Sequence, residues 1–312
     1  MIGVVCLNPA LDITYQVPAV DWAGVNRPSA VHARPGGKGL NVARTLRAFG
    51  ADVHVLGLAG GATGTAVCAA LAEAGVPATF TWIGGETRRT VTVVDGASGG
   101  VTAFNEPGPR VGVGELAELA VRYEKALAGC AAVVLSGSLP PGVPDDGYAR
   151  LIEMAAAAGV PAVLDAQGPA LRLGAAARPA IVKPNRDELA ALTGRPLLGR
   201  AAAARAVREL LATGPGAVVA TLGADGLLAV TGDGSWVAAP PAAVAGNATG
   251  AGDAVAAGLA HGLAAGLSWD ERLRHAVALG SAVAAAPVAG EFHPADYQRL
   301  LAGVSVRREE AG

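Results

Sequence analysis

Short apolar runs alternate with amphipathic helical patterns along most of this chain of 312 residues. Runs without polar positions indicate strands buried on both faces, and strands joined by helices form parallel βαβ units. The predicted core strands are 3–7, 53–58, 132–135, 162–164, 180–182 and 217–221, and the predicted helices are 40–49, 65–74, 115–127, 148–157 and 201–211. We therefore expect an α/β fold with a mostly parallel sheet sandwiched by helices.

Two other segments have the pattern of strands outside this sheet. Leu11-Asp12-Ile13-Thr14-Tyr15-Gln16-Val17 alternates apolar and polar residues, and 90–94 and 101–104 flank a Gly/Ser/Asp turn as in a hairpin. With 29–34 as a further strand, they predict a small sheet built from about 11–34 and 87–106. Such a sheet can act as a lid, a dimerisation surface or both. The chain 1–312 is then a single domain with a small β-sheet lid.

Composition and charge exclude several classes of function. The formal net charge is −2 and no tract is rich in lysine and arginine, which argues against nucleic acid and membrane partners. The most apolar tracts are interrupted by Gly, Ser or Pro and are short for a membrane span. Cys6, Cys68 and Cys130 are far apart and lack metal-ligand spacing, as expected of thiols in a reducing compartment. We expect a cytoplasmic protein.

The segment Gly250-Ala251-Gly252-Asp253 precedes a helical pattern rich in Ala, Gly and Leu. A helix N-terminus carries unpaired N–H groups and the positive end of the helix dipole, which together bind anions. Small residues let an anion approach these groups, and a carboxylate beside a bound phosphate can act as a base. Asp253 could equally be a helix N-cap, and this segment alone leaves both interpretations open.

A second glycine-rich segment, Gly36-Gly37-Lys38-Gly39-Leu40-Asn41, also leads into a predicted helix. Lys38 and Asn41 share a face of that helix, and the glycines suit a closely bound anion or polar ligand. The alternative is a turn with a solvated lysine. No Ser or Thr follows Lys38 at the required place, so the segment is not a Walker-type P-loop.

Polar residues follow four of the predicted strands, where the ligands of open α/β sheets bind. Each alone would be a turn or a helix cap, whereas four together indicate a site; they begin at Ser136, Asp165, Lys183 and Thr221. Asn185 and Glu188 have the spacing of a capping box, and the alternative is a water-mediated contact to Mg²⁺. Of Arg88 and Arg89, at most one can face a ligand, because neighbours on a strand point to opposite faces.

Together these motifs resemble the ribokinase-like (PfkB) family of sugar kinases, from Asn8-Pro9-Ala10-Leu11-Asp12 to Gly250-Ala251-Gly252-Asp253. Segments 7–10, 37–44, 136–140 and 183–189 are similar to its phosphosugar branch of 1-phosphofructokinase, tagatose-6-phosphate kinase and the minor 6-phosphofructokinase. The resemblance implies an ATP- and Mg²⁺-dependent kinase of a ketohexose phosphate, foremost D-fructose 1-phosphate. Tagatose 6-phosphate or fructose 6-phosphate is the nearest alternative acceptor. A non-catalytic sugar- or nucleotide-binding regulator is the alternative of another class.

The resemblance also implies a role for each motif residue and a homodimer formed through the lid. Asp253 would take the proton from the accepting hydroxyl, while the backbone of Gly250, Ala251 and Gly252 would hold the transferring phosphoryl group. The residues implied in binding the sugar and its phosphate are Asp12, Gly37, Asn41, Ser138, Lys38, Arg27 and Arg88. Those implied at the nucleotide are Lys183, Asn185, Glu188, Thr221, Gly223 and Gly226, with Glu188 reaching Mg²⁺ through water.

Overall fold

The computed structural model describes residues 1–241, 249–286 and 291–309, which form two sheets and the helices around them. The strands are β1 (Ile2–Cys6), β2 (Ala10–Val17), β3 (Ala30–Gly36), β4 (Val53–Ala59), β5 (Ala78–Trp82), β6 (Arg88–Asp95), β7 (Val101–Asn105), β8 (Ala132–Ser136), β9 (Ala162–Asp165), β10 (Ile181–Val182), β11 (Ala217–Thr221), β12 (Leu227–Thr231), β13 (Gly234–Ala239) and β14 (Ser305–Glu309). The α-helices are α1 (Lys38–Ala48), α2 (Gly61–Glu73), α3 (Val113–Leu127), α4 (Gly147–Ala157), α5 (Gly168–Ala176), α6 (Arg186–Thr193), α7 (Gly199–Leu211), α8 (Ala251–Ala264), α9 (Trp269–Ala285) and α10 (Pro294–Gly303). None of the helices in these ranges combines the length and the apolar character needed to cross a membrane.

The main sheet has the strand order β14-β13-β12-β11-β10-β9-β8-β1-β4-β5. All neighbours from β5 to β11 pair in parallel. The strands β12, β13 and β14 extend the sheet by antiparallel pairs beyond β11. The predicted α/β fold with a mostly parallel sheet is therefore confirmed, and the antiparallel extension is an addition that the sequence patterns did not indicate.

Both faces of the main sheet are buried, and β1 shows how the chain achieves this. Val4 and Cys6 pack into the core on the side of α1, α2, α8, α9 and α10. Val5 and Leu7 point the other way and pack with residues of α3 to α7. Because successive side chains of a strand point to opposite faces, an uninterrupted apolar run contributes to two cores. This explains why uninterrupted apolar runs in the sequence indicate the central strands.

The helices α8 and α9 pack against each other unusually closely through glycine. A Cβ added at Gly258 would lie 2.6 Å from the Cα of Ala276, and one at Gly280 would lie 2.7 Å from Cγ2 of Val255. Real Cβ atoms do not approach other heavy atoms so closely, so these positions admit no side chain unless the helices move apart. This contact fixes the position of α8 against α9.

The small sheet predicted from the alternating segments is present, with strand order β3-β2-β6-β7, and its role as a lid stays a prediction. Its central strands β2 and β6 are parallel, and Asp12 lies opposite Thr90 in their register. The outer strands β3 and β7 pair with them in antiparallel fashion. The chain passes through this small sheet twice, with β2 and β3 between β1 and α1, and β6 and β7 between β5 and α3.

Candidate active site

Asp253 lies in the first turn of α8 and is only 6% exposed. The N-cap of α8 is Gly250, which has φ 83° and ψ −7°, a left-handed conformation that glycine adopts without strain. The alternative in which Asp253 itself caps the helix is therefore wrong. Within the described residues no side chain caps this helix start, and backbone N–H groups at a helix start are of the kind that bind anions.

Asn41 holds the carboxylate of Asp253 in place. Its Nδ2 donates a hydrogen bond of 2.9 Å to Oδ2 of Asp253, between α1 and α8. Asn41 is brought there because α1 begins directly after Gly37, whose φ of 91° favours glycine. A side chain on Gly36 would overlap the carboxylate of Asp12, so this glycine is needed to accommodate Asp12. The glycine-rich motif thus accommodates Asp12, a predicted sugar-binding residue, and also positions Asn41, the hydrogen-bond partner of Asp253.

Two lysines and two carboxylates form a charge network across the ends of the strands. The Nζ atoms of Lys38 and Lys183 both lie 3.3 Å from Oδ1 of Asp165, whose side chain is fully buried. Lys38 Nζ also lies 3.2 Å from Oε1 of Glu188. Burial opposes the charge on Lys38, but the carboxylates of Asp165 and Glu188 raise its pKa above the ordinary lysine value. The network therefore keeps a cation in the site.

The capping box predicted for Asn185 and Glu188 is present at the start of α6. Oδ1 of Asn185 accepts a hydrogen bond of 2.7 Å from the N–H of Glu188, and Oε2 of Glu188 accepts one of 2.9 Å from the N–H of Asn185. Each carboxylate oxygen of Glu188 thus already has a protein partner, Lys38 at one and Asn185 at the other. The contact of Glu188 with Mg²⁺ stays a prediction.

Two cavities meet at the N-terminus of α8. The larger, of about 920 Å³, is lined by the predicted residues Asp12, Gly37, Lys38, Asn41, Arg88, Ser138, Lys183, Asn185, Thr221, Gly250, Gly252 and Asp253. The smaller, of about 580 Å³, is lined by the predicted residues Asn185, Thr221, Gly223, Gly226, Ala251 and Gly252. Asn185, Thr221 and Gly252 line both, so two bound molecules could meet there. Arg27 lies in the exposed connection between β2 and β3 and lines neither cavity, so its role stays a prediction.

Comparison with known proteins identifies the family. The sequence model described as "pfkB family carbohydrate kinase" matches residues 5–295. The chain belongs to this family. It is 40% identical over 278 residues to a 1-phosphofructokinase of Rhodobacter capsulatus, with 89% of this chain and 88% of that protein covered. It is 39% identical to a 1-phosphofructokinase of Xanthomonas campestris pv. campestris, with 83% of each chain covered.

Solved structures of phosphofructokinase-2 from Escherichia coli resemble this carbohydrate kinase in fold and sequence. The structure in complex with fructose-6-phosphate has a TM-score of 0.87 and 32% identity, and covers 96% of this chain and 98% of that chain. A structure of the tetrameric inhibited form of the same protein has a TM-score of 0.89 at the same identity and coverage. The protein is therefore an ATP-dependent sugar kinase of the PfkB family.

The environment of Asp253 suits a base in a kinase. Burial, and next the negative charge of Asp165, raise the pKa of the Asp253 carboxyl to about 7. The hydrogen bond from Asn41 and the positive charges of Lys183 and Lys38 act in the opposite direction. A general base is most effective when its pKa lies near the working pH, because it is then both ionised and basic enough to accept a proton.

The raised pKa predicts how activity depends on pH. Only the ionised form of Asp253 can accept a proton, so kcat/KM for the sugar should fall as the pH drops below about 7. The slope should approach about tenfold per pH unit on the acid side. The pH profile of kcat/KM at saturating ATP measures this. A profile that stays flat through neutrality into the acid range would contradict the assignment of the base.

The sequence patterns do not predict the roles of two groups of residues at these cavities. Asp165 was recognised only as a polar residue after a strand, whereas the structure shows that it holds both lysines of the site. The wall of the smaller cavity includes Val255, Val277 and Gly280 of α8 and α9. In sequence, these residues look like ordinary helix interior. Only the packing of α8 against α9 beside the smaller cavity identifies them as cavity-lining residues.

Proposed function

We propose that this kinase transfers the γ-phosphoryl group of ATP to a hydroxyl of a ketohexose phosphate. The expected acceptor is D-fructose 1-phosphate, and the product is fructose 1,6-bisphosphate. The observation that carries the proposal is that Arg88, whose hydrogen bonds go to neutral oxygens, lines the same cavity as Asp253. A sugar that already bears a phosphate gives the guanidinium of Arg88 an anion to bind, whereas a free sugar does not. The names of the two bacterial relatives favour the same acceptor.

The chain's own groups can perform the transfer. Asp253 would take the proton of the attacking hydroxyl, in an orientation fixed by Asn41. The N–H groups at the start of α8 would stabilise the negative oxygens of the phosphoryl group in transit. Lys183 would add a positive charge, since its Nζ lies 3.6 Å from the position that a Cβ on Gly252 would take. Phosphoryl transfer depends mainly on such positioning and charge neutralisation.

Mg²⁺ is expected to accompany ATP, and two carboxylates of the site, those of Asp165 and Glu188, suit a hydrated ion. The described residues contain no cluster of three or more His, Cys, Asp or Glu that could hold a metal by themselves. Glu188 would hold the ion through its water ligands, as would Oδ2 of Asp165, which lines the larger cavity and has no hydrogen-bond partner among the described residues. When bound, Mg²⁺ neutralises charge on the phosphates of ATP.

A coupled assay of ADP release across candidate acceptors tests the proposal. Fructose 1-phosphate, fructose 6-phosphate, tagatose 6-phosphate and free fructose are compared at equal concentrations with ATP and Mg²⁺. We expect the highest kcat/KM with fructose 1-phosphate and the lowest with free fructose. A preference for either 6-phosphate would move the acceptor within the phosphosugars. Turnover of none of them would favour a binding protein that lacks catalysis.

Arg88 and Arg89 offer a matched pair of substitutions for the phosphate contact. Arg88 lines the larger cavity, whereas Arg89 points away and forms an exposed ion pair with Glu106 at 3.0 Å. We expect Arg88→Ala to raise the KM for the phosphosugar by about 10- to 100-fold, since a charge-assisted contact with phosphate is lost. The KM for ATP should stay within a few-fold. Initial rates at varied sugar and ATP concentrations measure both constants.

Arg89→Ala is the control, because it removes the same charge from the neighbouring residue of the same strand. An exposed ion pair contributes little, so its kinetic constants should match those of the unaltered kinase. Equal effects of the two substitutions would show that the general positive charge of the lid matters and that Arg88 makes no specific contact.

The lid is also proposed to form a homodimer interface. Five of its large apolar side chains are exposed: Trp22, Val25, Val31, Val101 and Phe104. Exposed apolar surface on a small sheet favours association. The tetrameric form of the Escherichia coli structure is compatible with assembly in the family. Small-angle scattering measures the mass in solution, and a monomer at working concentration would remove the proposal.

The thiols Cys6, Cys68 and Cys130 are unpaired, which supports a cytoplasmic location.

A further inference from the structure

Asn8 is a buried polar residue at the edge of the larger cavity to which the proposed reaction gives no part. It follows β1 by two residues and is only 6% exposed. Its Nδ2 donates hydrogen bonds of 3.0 Å to the carbonyl oxygen of Pro107 and of 3.0 Å to Oγ of Ser138. One amide group therefore joins the segment after β7 to the loop after β8.

Asn8 also lies where the chain enters and leaves the lid. The connection 7–9 leads from β1 into β2, and 106–112 leads from β7 into α3. Gly108, with φ 97°, packs so closely that a Cβ there would overlap Oδ1 of Asn8. The side chain of Asn8 thus packs directly against the return segment 106–108, at Pro107 and Gly108.

The same segments orient Arg88. Its Nε donates a hydrogen bond of 3.2 Å to the main-chain oxygen of Asn8, and its Nη1 donates one of 3.3 Å to the main-chain oxygen of Glu106. The guanidinium is therefore held between the connection 7–9, to which Asn8 belongs, and the segment 106–108, to which the Asn8 side chain is bonded. If residues 106–108 shift away from Asn8, one of the two anchors of Arg88 moves while the other stays.

We propose that Asn8 is a positioning residue that fixes the lid's return segment against the Ser138 loop and thereby holds Arg88 and Ser138 in their phosphosugar-binding arrangement. This inference rests on the proposed function for its substrate. Asn8 acts through Arg88 and Ser138, which line the larger cavity, and its own side-chain hydrogen bonds go to Pro107 and Ser138. Its loss should weaken sugar binding while the transfer step at Asp253 continues at nearly its normal rate.

The test compares Asn8→Ala with Asn26→Ala, a control in the same lid. Asn26 also donates its amide to a main-chain oxygen, that of Asp21 at 2.7 Å, but it is exposed and outside both cavities. For Asn8→Ala we expect the KM for fructose 1-phosphate to rise about tenfold or more, because two buried hydrogen bonds are lost. The kcat and the KM for ATP should stay within a few-fold. Asn26→Ala should change none of these constants.

Hydrogen exchange of the ligand-free protein provides a readout that does not depend on the substrate. Asn8→Ala should speed the exchange of amides in 106–112, where the return segment loses its anchor, and Asn26→Ala should not. If Asn8→Ala does not fold, the similarly shaped Asn8→Leu serves instead, since its side chain donates no hydrogen bond and adds no charge.

The outcomes distinguish a failure of the positioning role of Asn8 from a failure of the proposed kinase function. Unchanged exchange in 106–112 would overturn the positioning role whatever the substrate is. Faster exchange with an unchanged sugar KM, or with kcat and both KM values impaired alike, would show a purely structural residue and would also overturn it. If the unaltered protein turns over no phosphosugar, the proposed function fails, and the exchange data still decide whether Asn8 anchors the lid.

Discussion

Replacing Asp253 by Asn is expected to lower kcat by at least about 100-fold, the lower range of what a general base contributes. Asparagine has nearly the same shape and can still accept the hydrogen bond from Asn41, so the geometry at the start of α8 is kept. What is lost is the group that accepts the proton. The KM values for both substrates should change only a few-fold, because neither binding contact depends on a basic Asp253.

The same variant should be at least as stable as the unaltered protein. The carboxyl of Asp253 is buried beside Asp165, and its raised pKa shows that this environment disfavours its charge. A neutral amide avoids that cost, so the melting temperature should stay equal or rise. Asp270→Asn is the control, because Asp270 also occupies the first turn of a helix but is exposed. Near-normal turnover by Asp253→Asn would remove the assignment of the base.

Lys183→Met should cause the second large loss, with kcat lower by about 100-fold or more, as when a preorganised charge is removed from a transition state. The side chain of Lys183 is only 4% exposed, and its Nζ lies next to the backbone of Gly252. Water cannot readily replace a cation at such a buried position. Steady-state rates at saturating substrates measure the effect. Lys125→Met, on the exposed face of α3, is the control for loss of a lysine.

Stability must be separated from catalysis in this variant. Removing Lys183 leaves Asp165 buried with Lys38 as its remaining cation, and breaking a buried ion pair costs about 3–5 kcal/mol of unfolding free energy. The double variant Lys183→Met/Asp165→Asn removes the uncompensated charge as well. We expect it to regain much of the melting temperature and none of the activity. Recovery of activity together with stability would show that Lys183 acts only on folding.

The parallel sheet was predictable because its strands are buried on both faces and therefore lack polar positions. Val4 and Val5 illustrate this, since both are buried although they point in opposite directions. The helix α9 was not predicted, because its Ala- and Gly-rich interior has no clear apolar face and packs on several sides. The strands β12 and β13 are short apolar runs that sequence pattern alone does not separate from buried helix segments.

The motif residues of the site were predictable, but the pairing between them was not. The sequence placed Asp165, Lys38 and Glu188 at separate positions, and no local pattern links residues that are 127 or 150 positions apart. Lys38 was assigned to the sugar phosphate through the family resemblance, whereas the structure shows its Nζ between two carboxylates. Such contacts depend on which strands become neighbours in the sheet, and that is a property of the whole fold.

The glycine contacts between α8 and α9 make the tolerance to mutation uneven across this kinase. A helix moves as a stiff unit, so a bulkier residue at Gly258 would displace Asp253 together with the N–H groups at the start of α8. A misplacement of about 1 Å is enough to reduce catalysis about 100-fold. Inactivating substitutions should therefore accumulate along the seam between these helices, at positions that never touch a substrate. A map of such substitutions would mark the packing contacts in the interior that fix the position of Asp253.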